Sequence, residues 1–225
     1  MQLTHFEAGN HAPLFLIAGP CVVETESLAV DTAGHLKTVT DQLGIPFIFK
    51  SSFDKANRSS HESPRGPGLS EGLRVLETVK RQIGVPVLTD VHEDTPLDEV
   101  AAVVDVLQIP AFLCRQSSLL EAAGRAGRAV NLKKGQMVAA ADMAHGAAKL
   151  RAQGCDRILL TERGSFFGYR DLVVDYRSVK IMRELGHPVV FDATHSVQMP
   201  GSTGSATGGR PELIPLLARC GVAAG

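Results

Sequence analysis

Tryptophan is absent from this 225-residue chain, tyrosine occurs twice, and aromatic residues make up only 5% of it. That scarcity removes the stacking platforms on which single-stranded nucleic acids are bound. A formal net charge of −1 removes the basic footprint that nucleic-acid binding requires. No apolar run approaches the ~20 residues of a membrane helix, and the opening MQLTHFEAGNHAP is too polar for a signal peptide. The four cysteines, Cys21, Cys114, Cys155 and Cys220, lie far apart without a CxxC pair, so neither a disulfide framework nor a zinc ribbon is indicated. A soluble, cytoplasmic protein with no nucleic-acid or membrane partner is expected. With 44% hydrophobic and 21% charged residues the chain can bury one substantial core, and residues 1–225 are expected to form a single domain.

What is present is an alternation. Short apolar runs, often β-branched, occur at residues 14–19, 46–50, 85–90, 104–110, 129–134, 157–162 and 187–194. Segments of helical periodicity lie between most of them, at 27–43, 69–82, 119–126, 142–153, 178–184 and 211–220. The strand segments are continuously apolar, as in a parallel sheet buried on both faces. Strand then helix, repeated without hairpin signals, implies βαβ units and either a (β/α)8 barrel or a doubly wound sheet. Gly44, Gly84, Gly154 and Gly186, each just before a strand, suit helix C-termini.

The strand ends decide between the two architectures. They carry Cys21, Lys50, Asp90 with His92, Gln108, Lys133, Arg163 and His195, and a barrel builds its active site from the C-terminal ends of many strands. Neither GxGxxG after the first strand nor GxxxxGK[ST] anywhere argues for a nucleotide-binding sheet. The segment KSSFDKANRSSHESPR concentrates Lys50, Lys55, Arg58 and Arg65 in a nearly neutral chain, which marks a site for a small, strongly anionic ligand. A connection as long as residues 51–68 is more often functional than a plain linker. Cys114, Cys155 and Cys220 are read as packing residues, and His5, His11, His35, His61, His145 and His187 as surface or loop histidines.

The segments AGPCVVE, FKSSFDKANRSS, TDVHE, LQIPAFLCRQ, VNLKKGQ, TERGSFFGY, LVVDYRS and FDATHSVQMPG occur in that order along nearly the whole chain. Together they resemble the 3-deoxy-D-manno-octulosonate 8-phosphate synthase family, and the KSSFDKANRSS block is specific to it. The resemblance implies a (β/α)8 TIM barrel, usually a homotetramer. It implies condensation of phosphoenolpyruvate with D-arabinose 5-phosphate and water, within lipopolysaccharide synthesis. It also implies roles: Lys50, Lys55, Lys133 and Arg163 on phosphoenolpyruvate, with Gln108 and the backbone near Ala111 and Phe112 completing that pocket. Asn57, Arg58 and Ser59 would hold arabinose 5-phosphate, and Asp90, His92 and His195 would join the two lysines of the loop in the chemistry.

Cys21 in the GPC segment resembles the metal-dependent form of the family, the other form having Asn there. Cys21 and His195 are thereby implied as ligands of a divalent ion, Fe, Zn, Mn or Co. The remaining family ligands, a Glu and an Asp, belong to an eighth β/α unit that follows position 225, so the sequence is expected to be C-terminally incomplete, and a protein of these residues alone inactive and poorly soluble. Residues 199–209, rich in Gly and Ser, resemble an active-site lid. Two alternatives stand beside this reading: a related synthase with another sugar acceptor, and a truncated non-catalytic relative that only binds anions.

Overall fold

Seven short strands form one parallel sheet in a computed structural model that describes residues 1–55, 65–169, 171–199 and 208–225. They are β1 (Leu16–Ala18), β2 (Phe47–Lys50), β3 (Val87–Asp90), β4 (Val106–Ile109), β5 (Ala129–Lys133), β6 (Ile158–Glu162) and, after a hairpin of β7 (Ser165–Phe167) and β8 (Asp171–Val173), β9 (Val189–Phe191). The order β1-β2-β3-β4-β5-β6-β9 follows the chain, each strand pairing in parallel with the next, as right-handed βαβ crossovers produce. Helices α1 (Glu26–Leu43), α2 (Leu69–Ile83), α3 (Leu97–Val103), α4 (Ser117–Arg125), α5 (Met143–Arg151) and α6 (Arg177–Glu184) connect them, and α7 (Ile214–Ala223) comes last. No helix among the described residues is long and apolar enough to cross a membrane.

Local chemistry sets the helix ends. Extended Thr25 caps α1, its hydroxyl accepting the Leu28 N–H at 3.2 Å, and Gly44 closes the helix at φ 65°. Gly84 closes α2 in the same left-handed region, whereas Gly154 and Gly186 stand just past the caps of α5 and α6, at Ala152 and Leu185. A helix and a hairpin within the βα series were not foreseen. Helix α3 is under two turns, too short to display a period, and its start at Pro96 with Asp98 and Glu99 in the first turn is the signal that was available. The antiparallel β7–β8 hairpin corrects the reading of uninterrupted βα units; its turn contains Gly168 at φ 72°.

The sheet curls strongly. Its edge strands are β1 and β9, and a flat seven-stranded sheet would hold them about 29 Å apart. Yet Cys21, just after β1, and His195, just after β9, place Sγ and Nε2 3.7 Å apart. The result is a curled half-barrel with helices outside, a TIM-like arrangement.

Period-two alternation divides the strand residues between two environments. Phe47, Phe49, Val87, Leu107, Ile109, Val130, Leu132, Ile158 and Leu160 pack with the helices in the main core. Ile48, Leu88, Val106, Ala129 and Leu159 face the other way, into a smaller cluster with Leu3 and Ala8, against which Phe6 and Phe15 also pack. Two residues further along these same strands, the inner face turns polar: Lys50, Asp90, Gln108, Asn131 and Thr161. An apolar floor built in part by the N-terminal segment thus supports a polar layer at the carboxyl ends of the strands.

Candidate active site

Cations dominate that layer. Lys50 at the end of β2 donates to the Cys21 carbonyl at 3.1 Å and to Ser52 Oγ at 3.2 Å, and lies 3.5 Å from Asp90 Oδ2. Lys55 donates to Ser52 Oγ at 3.1 Å. Lys133 at the end of β5 meets Asp192 Oδ2 at 2.5 Å. Arg163, just past β6, donates through Nη2 to the His195 carbonyl at 3.1 Å and to Gln198 Oε1 at 2.7 Å, while its Nη1 is buried without a partner among the described residues.

Burial by itself would raise the Asp90 carboxyl, but Lys50, Lys55 and Lys133 hold it well below the usual carboxylate range. Burial likewise opposes ionisation of Asp192, and Lys133 with His195 overcomes it. On the cation side burial disfavours charge on Lys50, yet Asp90, Cys21 and Asp192 together more than offset this. Burial and the neighbouring Lys50 push Lys55 down, with Asp90 in partial opposition. Burial also pushes Arg163 down, against the pull of Asp192 and Glu162. Four cations therefore face two carboxylates, and Lys55 and Arg163 have no carboxylate within ion-pair distance among the described residues. A surplus of buried, partly unsatisfied donors is a chemistry that an anion completes.

The rim holds a second arrangement. Asp192 Oδ1 accepts the His195 backbone N–H at 3.0 Å and Oδ2 meets His195 Nδ1 at 2.7 Å, which places a proton on Nδ1 and aims Nε2 at Cys21. Although burial works against the Cys21 thiolate, the His195 contact and the charges of Lys50 and Lys55 bring the thiol down to about 6. A deprotonated sulfur and an imidazole nitrogen bound to one tetrahedral ion would be separated by about 3.6 Å from ordinary metal–ligand lengths. The observed 3.7 Å matches, so these donors fit a metal ion, and no third His, Cys, Asp or Glu joins them among the described residues. Cys21 should be alkylated rapidly by iodoacetamide at pH 7, with Cys114 and Cys155 spared by burial, and its rate should fall as the pH drops below about 6. Peptide mapping of labelled protein checks this; equal labelling of all three would contradict the thiolate assignment.

Of the residues singled out in the sequence, Cys21, Lys50, Lys55, Asp90, Gln108, Lys133, Arg163 and His195 come together here. Gln108 donates to Asp90 Oδ1 at 2.7 Å. Ala111 is buried in the single turn after β4 (Ala111–Leu113), and Phe112 beside it is 50% exposed. Among the described residues His92 does not join the hydrogen-bonded network: its ring stands edge-on to Phe53 at 6.4 Å and its backbone N–H donates to Thr95, because the chain turns at residues 92–95. Asn57, Arg58 and Ser59 lie outside the described residues, as does His61. Most of the suspected lid does too; the parts on either side, Gln198–Met199 and Gly208–Gly209, pair with each other. His187 corrects the surface assignment, being 4% exposed with Nε2 3.0 Å from Arg151 Nη2. Cys114 and Cys155 are buried and Cys220 partly so.

The sequence reading missed Ser52, Asn131, Asp192 and Gln198 in the site, and Lys134 with Glu162 behind it. Asn131 and Asp192 did carry a signal: each stands on the inward parity of a strand, two residues beyond an apolar floor position.

A curled parallel α/β sheet with convergent cations at its carboxyl ends defines a barrel-type site for anionic ligands. Across residues 2–225 the chain matches the DAHP synthetase I family, and it belongs to that family. It is 66% identical over 225 residues to the 2-dehydro-3-deoxyphosphooctonate aldolase of Alkalilimnicola ehrlichii, covering all of this chain and 81% of the relative. The protein of the same name from Methylococcus capsulatus is 66% identical over 224 residues, with 100% of this chain and 79% of the relative covered. One from Legionella pneumophila is 61% identical over 225 residues, covering 82% of the relative.

Proposed function

We propose that the protein condenses phosphoenolpyruvate with D-arabinose 5-phosphate and water, giving 3-deoxy-D-manno-octulosonate 8-phosphate and inorganic phosphate, as one catalytic domain of lipopolysaccharide synthesis. The observation that carries this reading is the surplus of buried cations, above all Arg163 with its unpartnered Nη1, in a chain so similar to curated aldolases of that name. Phosphoenolpyruvate brings a phosphate and a carboxylate close together, and Lys50, Lys55, Lys133 and Arg163 supply the charge to receive both. Gln108 and the backbone at Ala111 and Phe112 border that pocket. Asn57, Arg58 and Ser59 follow Lys55 directly in sequence and are assigned to the sugar phosphate.

In the reaction C3 of phosphoenolpyruvate forms a bond to the aldehyde carbon, whose oxygen gains a proton. Water adds at C2, and the C2–O bond to phosphate breaks to leave the ketone and inorganic phosphate. Lys50 at the end of β2 and Lys55 in the loop that leads to the sugar-phosphate residues would stabilise the negative charge that develops on the aldehyde oxygen. Asp90 keeps Lys50 charged and in place. His92 and His195 complete the set; the assignment of His92 rests on its place at the end of β3, since its ring is not bonded to the others.

Cys21 Sγ and His195 Nε2 would hold a divalent ion, Fe, Zn, Mn or Co, with Asp192 fixing the imidazole. Such an ion supplies Lewis-acid polarisation of a coordinated oxygen. The four free thiols suit a reducing, cytoplasmic setting. A homotetramer is the proposed assembly, and exposed Phe112, Phe167 and Tyr169 are available to be covered in it.

A substrate panel tests the reading: the native protein should release phosphate from phosphoenolpyruvate with arabinose 5-phosphate and not with erythrose 4-phosphate or an N-acetylated hexosamine. Arg58→Ala should weaken the sugar phosphate far more than phosphoenolpyruvate, by roughly 1.5–3 kcal/mol for a lost charged hydrogen bond. Phosphoenolpyruvate binding without turnover of any aldose would favour the non-catalytic alternative. Exhaustive chelation should abolish turnover and added Mn²⁺, Fe²⁺, Zn²⁺ or Co²⁺ restore it; undiminished activity after chelation would remove the metal from the proposal.

A further inference from the structure

Beneath the cations, side chains from adjacent strands form a continuous buried chain of hydrogen bonds. Thr161 Oγ1 donates to Asn131 Oδ1 at 2.6 Å, Asn131 Nδ2 to Gln108 Oε1 at 2.8 Å, and Gln108 Nε2 to Asp90 Oδ1 at 2.7 Å. Asp90 Oδ2 accepts from Ser52 and faces Lys50 at 3.5 Å. The chain crosses β6, β5, β4 and β3 and reaches Lys50 at the end of β2. Thr161 and Asn131 are each 1% exposed and Gln108 5%.

Its direction is forced from one end. An ionised Asp90 beside Lys50 can only accept, so Gln108 must turn its NH₂ toward it. That leaves Gln108 Oε1 for Asn131, which must then present its own NH₂. Asn131 Oδ1 remains, and the Thr161 hydroxyl is the donor that satisfies it. A reversed amide at either position would set like groups against each other in a region closed to solvent, where the mismatch is not relieved. Neither Asn131 nor Thr161 is charged, and neither is hydrogen-bonded to Lys55, Arg163, Cys21 or His195. Among the described residues, their side-chain hydrogen bonds reach the site through Gln108 alone.

We propose that Asn131 and Thr161 are positioning residues that fix the orientation of the Gln108 amide, and through it the Asp90 carboxylate that holds Lys50 at the anion pocket. The proposal rests on the phosphoenolpyruvate reading given above. Replacing Thr161 separates positioning from packing. Thr161→Val keeps the shape and loses the donor, whereas Thr161→Ser keeps the donor and loses a methyl group. Asn131→Asp acts from the other side: an acceptor-only group of the same shape demands the Gln108 NH₂ and turns Gln108 Oε1 toward Asp90.

Phosphoenolpyruvate binding by calorimetry, kcat, and KM for arabinose 5-phosphate should be measured with unfolding midpoints for the wild type and all three variants. Thr161→Val and Asn131→Asp should each weaken phosphoenolpyruvate binding about tenfold or more and lower kcat, as expected when a buried charged network loses a member, with KM for arabinose 5-phosphate within twofold of wild type. Thr161→Ser should retain the wild-type constants even if its midpoint falls. The reverse order, a folded Thr161→Val that binds phosphoenolpyruvate like the wild type, would overturn the proposal, and this comparison decides it even if Asn131→Asp does not fold. A wild type that binds phosphoenolpyruvate but turns over no arabinose 5-phosphate would refute the functional reading alone, and the variants' phosphoenolpyruvate affinities would still decide the positioning role.

Discussion

Asp192→Ala is expected to lower retention of the proposed metal ion by about 10–100-fold and kcat/KM by at least as much, the scale on which outer-shell partners of metal-bound histidines act. The carboxylate has two duties that no other group in the site can take over. It holds His195 Nδ1 at 2.7 Å, so that Nε2 faces Cys21, and it neutralises Lys133 at 2.5 Å. Without it the imidazole is free to rotate and change tautomer, while Lys133, 9% exposed at its side chain, loses its counter-charge. Metal content after dialysis, and turnover with metal restored in excess, separate the two effects: added metal should recover the part due to His195 and leave the part due to Lys133. Wild-type metal content and turnover in the variant would show that Asp192 is dispensable.

The second large effect is on stability and comes from behind the site. Lys134 and Glu162 are each 1% exposed at the side chain, with Nζ and Oε1 3.6 Å apart. Lys134 also donates to Ser165 Oγ at 3.0 Å, Glu162 Oε1 accepts the Gly164 N–H at 2.6 Å, and Glu162 Oε2 has no partner among the described residues. The pair ties the end of β5 to the start of the β7–β8 hairpin, and so braces the adjacent Lys133 and Arg163. Lys134→Ala should cost about 3–5 kcal/mol of unfolding free energy, because removing one member of a buried pair strands the other charge in low dielectric. Lys134→Met combined with Glu162→Gln should cost clearly less than Lys134→Ala, since no bare charge remains. Denaturant unfolding of the single and double variants measures this; equal losses would mean that packing, not charge, sets the cost.

Much of the architecture was legible because it is local. Each of the seven apolar runs became a strand of the parallel sheet, Gly44 and Gly84 closed the helices they follow, and the cations at the strand ends met in one layer. These outcomes depend on backbone conformation and on the two-residue period of a strand, which neighbouring residues encode. Helix α3 escaped because seven residues show no period, and the hairpin because its strands are three residues each.

The sequence by itself determined which side chains face inward at the strand ends, and so that Lys50, Asp90, Gln108 and Lys133 would share a surface. Tertiary structure alone decided their partners. Cys21 and His195 are 174 positions apart and meet only because the sheet curls until its two edge strands approach. Asp192 reaches Lys133 across β6, and Lys134, one residue from a lysine of the site, turns away into a buried ion pair with Glu162. A buried lysine and a solvated one are spelled alike, and an amide's orientation is set by the donor or acceptor it faces. Those properties arise from pairings between distant segments, which exist only once the sheet has curled and water has been displaced.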